Sequence, residues 1–227
     1  MSAERLVIFD VDGTLIDSQN LICDAMAHAF EALGQPMPPR AEVLGIVGLS
    51  LPQAMARLAP ARPEADHERL AEEYREYFVA QRIAAGGEAM APLYPGARAA
   101  LERLAARGTL LGIATGKARR GLDHMFESHD LGHFFVTAQT ADGHPSKPHP
   151  SMVLAALDET GLAAHRAVMI GDTEFDIEMG RAAGVATIGV AWGYHDTDRL
   201  RAAGADLVIE DFAALDAALA GLPGWRA

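Results

Sequence analysis

Six short, uninterrupted apolar runs punctuate the chain, at 6–9, 110–114, 134–136, 167–170, 185–190 and 207–209. A strand with one wet face alternates apolar and polar residues, so unbroken runs point to strands covered on both sides, as in a parallel sheet packed between helices. From residue 95 onward the runs alternate with helical stretches. Pro95-Gly96 opens "ARAALERLAARG", where Ala97, Leu101 and Leu104 share a helical face and Gly108 supplies a stop. Further helices are predicted at 117–128, 149–161, 174–183 and 211–219. Strict strand–helix alternation predicts a doubly wound α/β fold with a mostly parallel, Rossmann-like sheet.

The interval 18–88 breaks this rhythm. It holds "NLICDAMAHAFEALG", "LPQAMARLA" and "EADHERLAEEYREYFVAQR", all helical in pattern, and no strand. The expected organisation is therefore a core formed by 1–17 and 89–227, with a small helical domain, 18–88, inserted after the first strand. The stretch 84–96, "AAGGEAMAPLYPG", supplies the glycines and prolines of a linker. A length of 227 residues suits one main domain plus a smaller insertion.

Charge narrows the partners. With 31 acidic against 19 basic residues the net charge is −12, which disfavours a nucleic-acid backbone or an anionic membrane surface. No apolar run approaches the ~20 residues that span a bilayer, and the first strand begins without the basic, then hydrophobic, layout of a secretory signal. Cys23 is the single cysteine, so no intramolecular disulfide forms, and it reads as a small packing residue. A cytoplasmic protein, monomeric or homodimeric, is expected.

In an open parallel sheet, ligands bind beyond the carboxyl ends of the strands. Four polar clusters stand there: Asp10 and Asp12 with Gly13-Thr14 after the first run, Thr115-Gly116 after the second, Lys147 in "HPSKPHP" after the third, and Gly171-Asp172 with Asp176 after the fourth. The fold predicts that all four meet in one crevice. Carboxylates crowded there repel by about 4 kcal/mol per pair at 4 Å under an effective dielectric of 20, a cost that a divalent cation removes. All-oxygen ligation favours Mg²⁺, held by one or two protein carboxylates beside a substrate phosphate.

Taken in order, "DVDGT", Thr-Gly after a hydrophobic strand, "SKP" and "GDTEFD" resemble the four motifs of the haloacid-dehalogenase-like hydrolase superfamily. The resemblance covers nearly the whole chain, and the insertion resembles that superfamily's helical cap, in its phosphoglycolate phosphatase-like branch. It implies a Mg²⁺-dependent phosphatase acting on small phosphorylated metabolites. Asp10 and Asp172 are then the direct carboxylate ligands, and the resemblance adds the backbone carbonyl of Asp12. Asp176, one helical turn beyond Asp172, is expected to fix the ligand loop rather than to bind metal.

Asp10 is the expected nucleophile, forming an aspartyl-phosphate that divides hydrolysis into two easier steps. Asp12, its side chain free, would protonate the leaving alkoxide and then accept a proton from the attacking water. Thr115, the Gly116 N–H and Lys147 would meet the charge on the phosphoryl oxygens. Two alternatives share these motifs: a β-phosphoglucomutase-like phosphoryl transferase, and a non-catalytic phosphate-binding module. Dehalogenase chemistry is disfavoured, because that branch lacks the second aspartate and the Gly-Thr present here as Asp12 to Thr14. Phosphonatase chemistry needs a cap lysine, and 18–88 contains none.

Other residues read as structural. His144, His149 and His195 show no metal-ligand spacing and are expected in loops or on the surface. Met26 and Met55 fall at helical spacing among Ala and Leu, as core residues do. Lys117, Arg119 and Arg120 read at least as well as a solvated helix start as they do as anion ligands. "GIVGLSLPQ", at 45–53, is a loop suited to leaning over the site.

Overall fold

The computed structural model describes residues 4–85, 87–223 and 225. Six strands, β1 (Leu6–Phe9), β2 (Leu110–Thr115), β3 (Phe135–Thr140), β4 (Ala167–Gly171), β5 (Ala186–Val190) and β6 (Leu207–Ile209), form one sheet. Every pairing is parallel and the order is β3-β2-β1-β4-β5-β6. The winding reverses at β1, which lies between β2 and β4, and that reversal opens a crevice beyond their carboxyl ends.

The apolar runs are continuous because their side chains serve two cores. Val7 and Phe9 of β1, with Val168 and Ile170 of β4, pack against α6 (Ala97–Ala106), α7 (Arg119–His129) and α11 (Leu215–Gly221) through Leu101, Leu122 and Leu215. The intervening residues Leu6, Ile8, Ala167 and Met169 face the other way. They meet Met152 and Val153 of α8 (Ser151–Thr160) and Met179 of α9 (Glu174–Ala182). A strand's two-residue period thus divides one apolar run between both layers. The short α10 (Thr197–Ala203) precedes β6 and buries Leu200. The sequence reading had no helix there, since seven residues with one large apolar side chain give no periodic signal.

Between β1 and α6 lie α1 (Gln19–Ala32), α2 (Arg40–Leu44), α3 (Leu51–Leu58), α4 (Glu64–Ala85) and α5 (Gly87–Met90). Ile22, Cys23, Met26 and Phe30 of α1, Met55 of α3, and Leu70 and Ala71 of α4 make a separate apolar core, so Cys23, Met26 and Met55 pack as read. These helices form a cap inserted into the sheet domain. The two chain passages joining cap and sheet run side by side. Ile16 bridges Leu93, the Asp17 N–H donates to Pro92 O and the Tyr94 N–H donates to Leu15 O. Gly86, within the expected linker, lies outside the described residues. Among the described residues no helix is long and apolar enough to cross a membrane.

Candidate active site

The ends of β1, β2 and β4 and the loop after β3 place Asp10, Thr115, Asp172, Asp176 and Lys147 together, all buried. Lys147 is the centre. Its fully buried ammonium donates to Asp10 Oδ1 at 2.7 Å and to Asp176 Oδ1 at 2.6 Å. Burial opposes that charge, but the two carboxylates outweigh it and hold the lysine well above its ordinary pKa.

Asp176 is fixed by its own helix. Thr173 caps α9 and donates both its N–H, at 3.1 Å, and its hydroxyl, at 2.7 Å, to Asp176 Oδ2. Both Asp176 oxygens are therefore engaged within the protein. Asp172 accepts one bond per oxygen, from the Thr14 hydroxyl at 3.0 Å and from the Tyr194 N–H at 2.9 Å. Gly13 makes this approach possible. Its φ is +88°, and a β-carbon there would overlap the Asp172 carboxylate.

Asp10 differs from both. Its Oδ2 is buried with no hydrogen-bond partner. Burial raises the Asp10 pKa to about 7, with Asp176 adding to the shift and Lys147 opposing it. Burial likewise raises Asp172 well above the ordinary range, helped by Asp176 and Asp10.

One oxygen from each of Asp10, Asp172 and Asp176 lies within 4.8 Å of the others, so the cluster is capable of metal coordination. With all three carboxylates ionised, they and the one ammonium carry two negative charges, the complement of a divalent cation. An unpartnered carboxylate oxygen costs about 1–3 kcal/mol unless something meets it. The donor set is all oxygen, which suits a hard cation. The residues fit the metal.

Asp12 sits at the cavity edge, and its side chain is engaged within the protein. Lys117 reaches both of its oxygens at 2.8 Å, and the Ser18 hydroxyl, itself 3.1 Å from Tyr194 OH, donates to Oδ1. Lys117 thus belongs to the site, and its side chain is only 13% exposed. Its place two residues after Thr115 was the available signal, but basic residues at a helix start look alike whether solvated or engaged. Ser18 was legible only as a helix cap; it makes no capping bond and serves Asp12 instead. His195 lies in a loop, as read, but not at the surface. It is buried between the Glu174 N–H and Gly45 O, tying α9 to the cap, and burial lowers its pKa, with Arg199 adding to the effect. His149 is exposed, as a loop residue should be.

The 45–53 segment does lean over the site. A β-carbon on Gly116 would fall 2.5 Å from Gly48 O and 2.8 Å from Leu49 O, and the Ser50 N–H donates to the Ser146 hydroxyl, beside Lys147, at 2.7 Å. Leu49 and Ala54 also pack on Phe175 of α9. Beneath the cap lies a cavity of about 420 Å³, whose floor includes Asp10, Asp12, Thr115 and Gly116.

The chain is 36% identical over 209 residues to a protein of Dickeya dadantii described as "Probable phosphatase IndB", covering 91% of this chain and 90% of that one. It is 31% identical to a phosphoglycolate phosphatase of Pseudomonas savastanoi pv. phaseolicola, over 91% of this chain and 76% of the other. A solved haloacid dehalogenase-like family hydrolase from Streptococcus pneumoniae superposes with a TM-score of 0.82 at 27% identity, covering 96% of this chain and 99% of that one. The model of the haloacid dehalogenase-like hydrolases matches residues 7–190. That match runs from the strand bearing Asp10, through the cap and the Lys147 loop, to the end of β5, and so takes in every carboxylate of the cluster: the chain belongs to the haloacid dehalogenase-like hydrolase family.

Proposed function

We propose that this enzyme is a Mg²⁺-dependent phosphatase that hydrolyses small phosphate monoesters through an aspartyl-phosphate on Asp10, with the architecture of the phosphoglycolate phosphatase-like branch. The observation that carries the reading is the buried, unpartnered Oδ2 of Asp10 at the floor of a capped cavity. Its neighbour Oδ1 is held by Lys147, so the carboxylate is only half satisfied within the protein and remains open toward the cavity.

The carboxylates of Asp10 and Asp172 and the backbone carbonyl of Asp12 would hold the metal, while Asp176, engaged by Lys147 and Thr173, positions the lysine. Bound there, Mg²⁺ neutralises carboxylate repulsion and charge on the phosphoryl oxygens. Asp10 attacks phosphorus, and Lys147, Thr115 and the Gly116 N–H stabilise the transferring group. Asp12 protonates the departing alkoxide and then takes a proton from the water that cleaves the aspartyl-phosphate. Lys117, paired with Asp12, supplies the proton that Asp12 passes on and holds the side chain at the cavity edge. Residues 18–88 act as the cap and exclude bulk water during attack, moving on the paired passages at 15–17 and 92–94.

The test is hydrolysis of a generic aryl phosphate with and without Mg²⁺. Turnover that requires the metal and disappears in Asp10→Asn is expected. Folded protein with no turnover in either condition contradicts the reading and favours a phosphate-binding module.

A further inference from the structure

The cavity continues beyond its phosphoryl-binding floor, and much of its remaining lining is apolar. Ile22 and Met26 of α1, Val47 and Leu49 of the overhanging segment, and Tyr74 and Phe78 of α4 line it. Tyr74 and Phe78 lie with ring centroids 5.7 Å apart, and the Lys117 ammonium stands 5.1 Å from the Phe78 centroid. A chamber of about 420 Å³ is the size of pockets that enclose whole organic ligands. A two-carbon hydroxy acid would leave most of this wall without a partner.

Charge argues the same way. A leaving group bearing a carboxylate needs a cation beside the floor, and Lys117, the ammonium placed there, is committed to both oxygens of Asp12. Arg75 and Arg120 also line the cavity, but both are exposed and belong to its mouth. A carboxylate packed against Ile22, Met26 and Val47 would be desolvated by apolar side chains, which is costly.

We propose that the preferred substrate is the phosphate monoester of a bulky, apolar, ring-bearing alcohol whose carbon skeleton packs against the α1 and α4 wall. This inference rests on the phosphatase reading above and specifies its substrate. Asp10 forms a bond to phosphorus as the ester P–O bond breaks. The bonding pair leaves with the alcohol oxygen, which takes a proton through Asp12 from the Lys117 ammonium paired with it, and the proton of the attacking water returns the same way. Water then releases inorganic phosphate and restores Asp10.

The test is kcat/KM, with Mg²⁺ present, for ethyl, butyl and 2-phenylethyl phosphate and for phosphoglycolate. The three alkyl esters share a primary alcohol, so they differ chiefly in apolar bulk. Each methylene packed on the wall should raise kcat/KM about fourfold, and 2-phenylethyl phosphate should exceed phosphoglycolate by about a hundredfold or more. Phe78→Ala should reduce the ratio of 2-phenylethyl to ethyl phosphate about tenfold. A flat alkyl series, or phosphoglycolate turned over as well as the phenylethyl ester, overturns the inference and leaves the phosphatase reading standing. No turnover of any of the four esters by folded enzyme removes the phosphatase reading itself, and this inference with it.

Discussion

In the proposed mechanism Asp10 meets two opposed demands: it must be buried to exclude water, and it must be ionised to attack. Burial pushes its pKa up to about 7 while Lys147 pulls the other way, so the metal-free native state holds a proton that the unfolded chain has already released. A carboxyl group raised in the folded state favours folding at low pH and loses that contribution as pH rises between about 4 and about 7. Asp10→Asn has no such titration. In metal-free protein, the unfolding free energy of Asp10→Asn relative to wild type should therefore increase across that window, by at most about 1.4 kcal/mol per pH unit. Chemical denaturation of both proteins at a series of pH values checks this, and a pH-independent difference contradicts it. Lys147→Ala leaves three carboxylates with no ammonium and should cost about 3–5 kcal/mol of metal-free stability, with loss of nearly all turnover; unchanged stability in the same denaturation assay would contradict the buried triad. At this scale Asp10, Lys147, Asp172 and Asp176 were legible because each follows an apolar run. The Lys117–Asp12 pair was not, since no local pattern reports a contact between residues 105 positions apart.

Among the elements, the loop joining α2 to α3 matters most, because it closes the cavity over the end of β2. Gly116 is a glycine for lack of room: any side chain there meets the carbonyls of Gly48 and Leu49. Gly116→Ala should therefore displace the overhanging segment and lower kcat/KM about 10- to 100-fold, with a much smaller effect on Tm, since the residue contributes no core packing. Steady-state kinetics alongside a thermal melt separates the two, and parallel losses of activity and Tm would mean the contact is simply structural. β1 and β4 could be read because double burial writes itself as unbroken apolar runs, whereas β3, at the sheet edge, carries Thr137, Gln139 and Thr140 and meets its predicted run, 134–136, at only two residues. The cap's helices could be read from their period, but α2 and α10, with five and seven residues, are too short to show one. How closely the cap approaches the sheet depends on tertiary packing at Phe175 and His195, which no single segment encodes.

Over the whole molecule, the sheet order puts β1 at the reversal of winding, and the four polar clusters converge because each ends a neighbouring strand or follows one. The convergence concentrates negative charge, so a cation that binds only the folded cluster must stabilise the entire fold. Mg²⁺ at a hundred times its dissociation constant should add about 2.7 kcal/mol to the unfolding free energy. That gain should vanish in Asp172→Asn, as a thermal melt with and without the metal would show, and an equal gain in the variant would place the ion elsewhere. The account turns on covalent transfer to one oxygen of one aspartate. Acid-quenching a single turnover with Mg²⁺ and an aryl phosphate, followed by peptide mass spectrometry, locates the phosphoryl group directly. The prediction is one phosphoryl group on the peptide carrying Asp10, absent in Asp10→Asn; turnover with the label on another residue, or surviving at a comparable rate in Asp10→Asn, would contradict it.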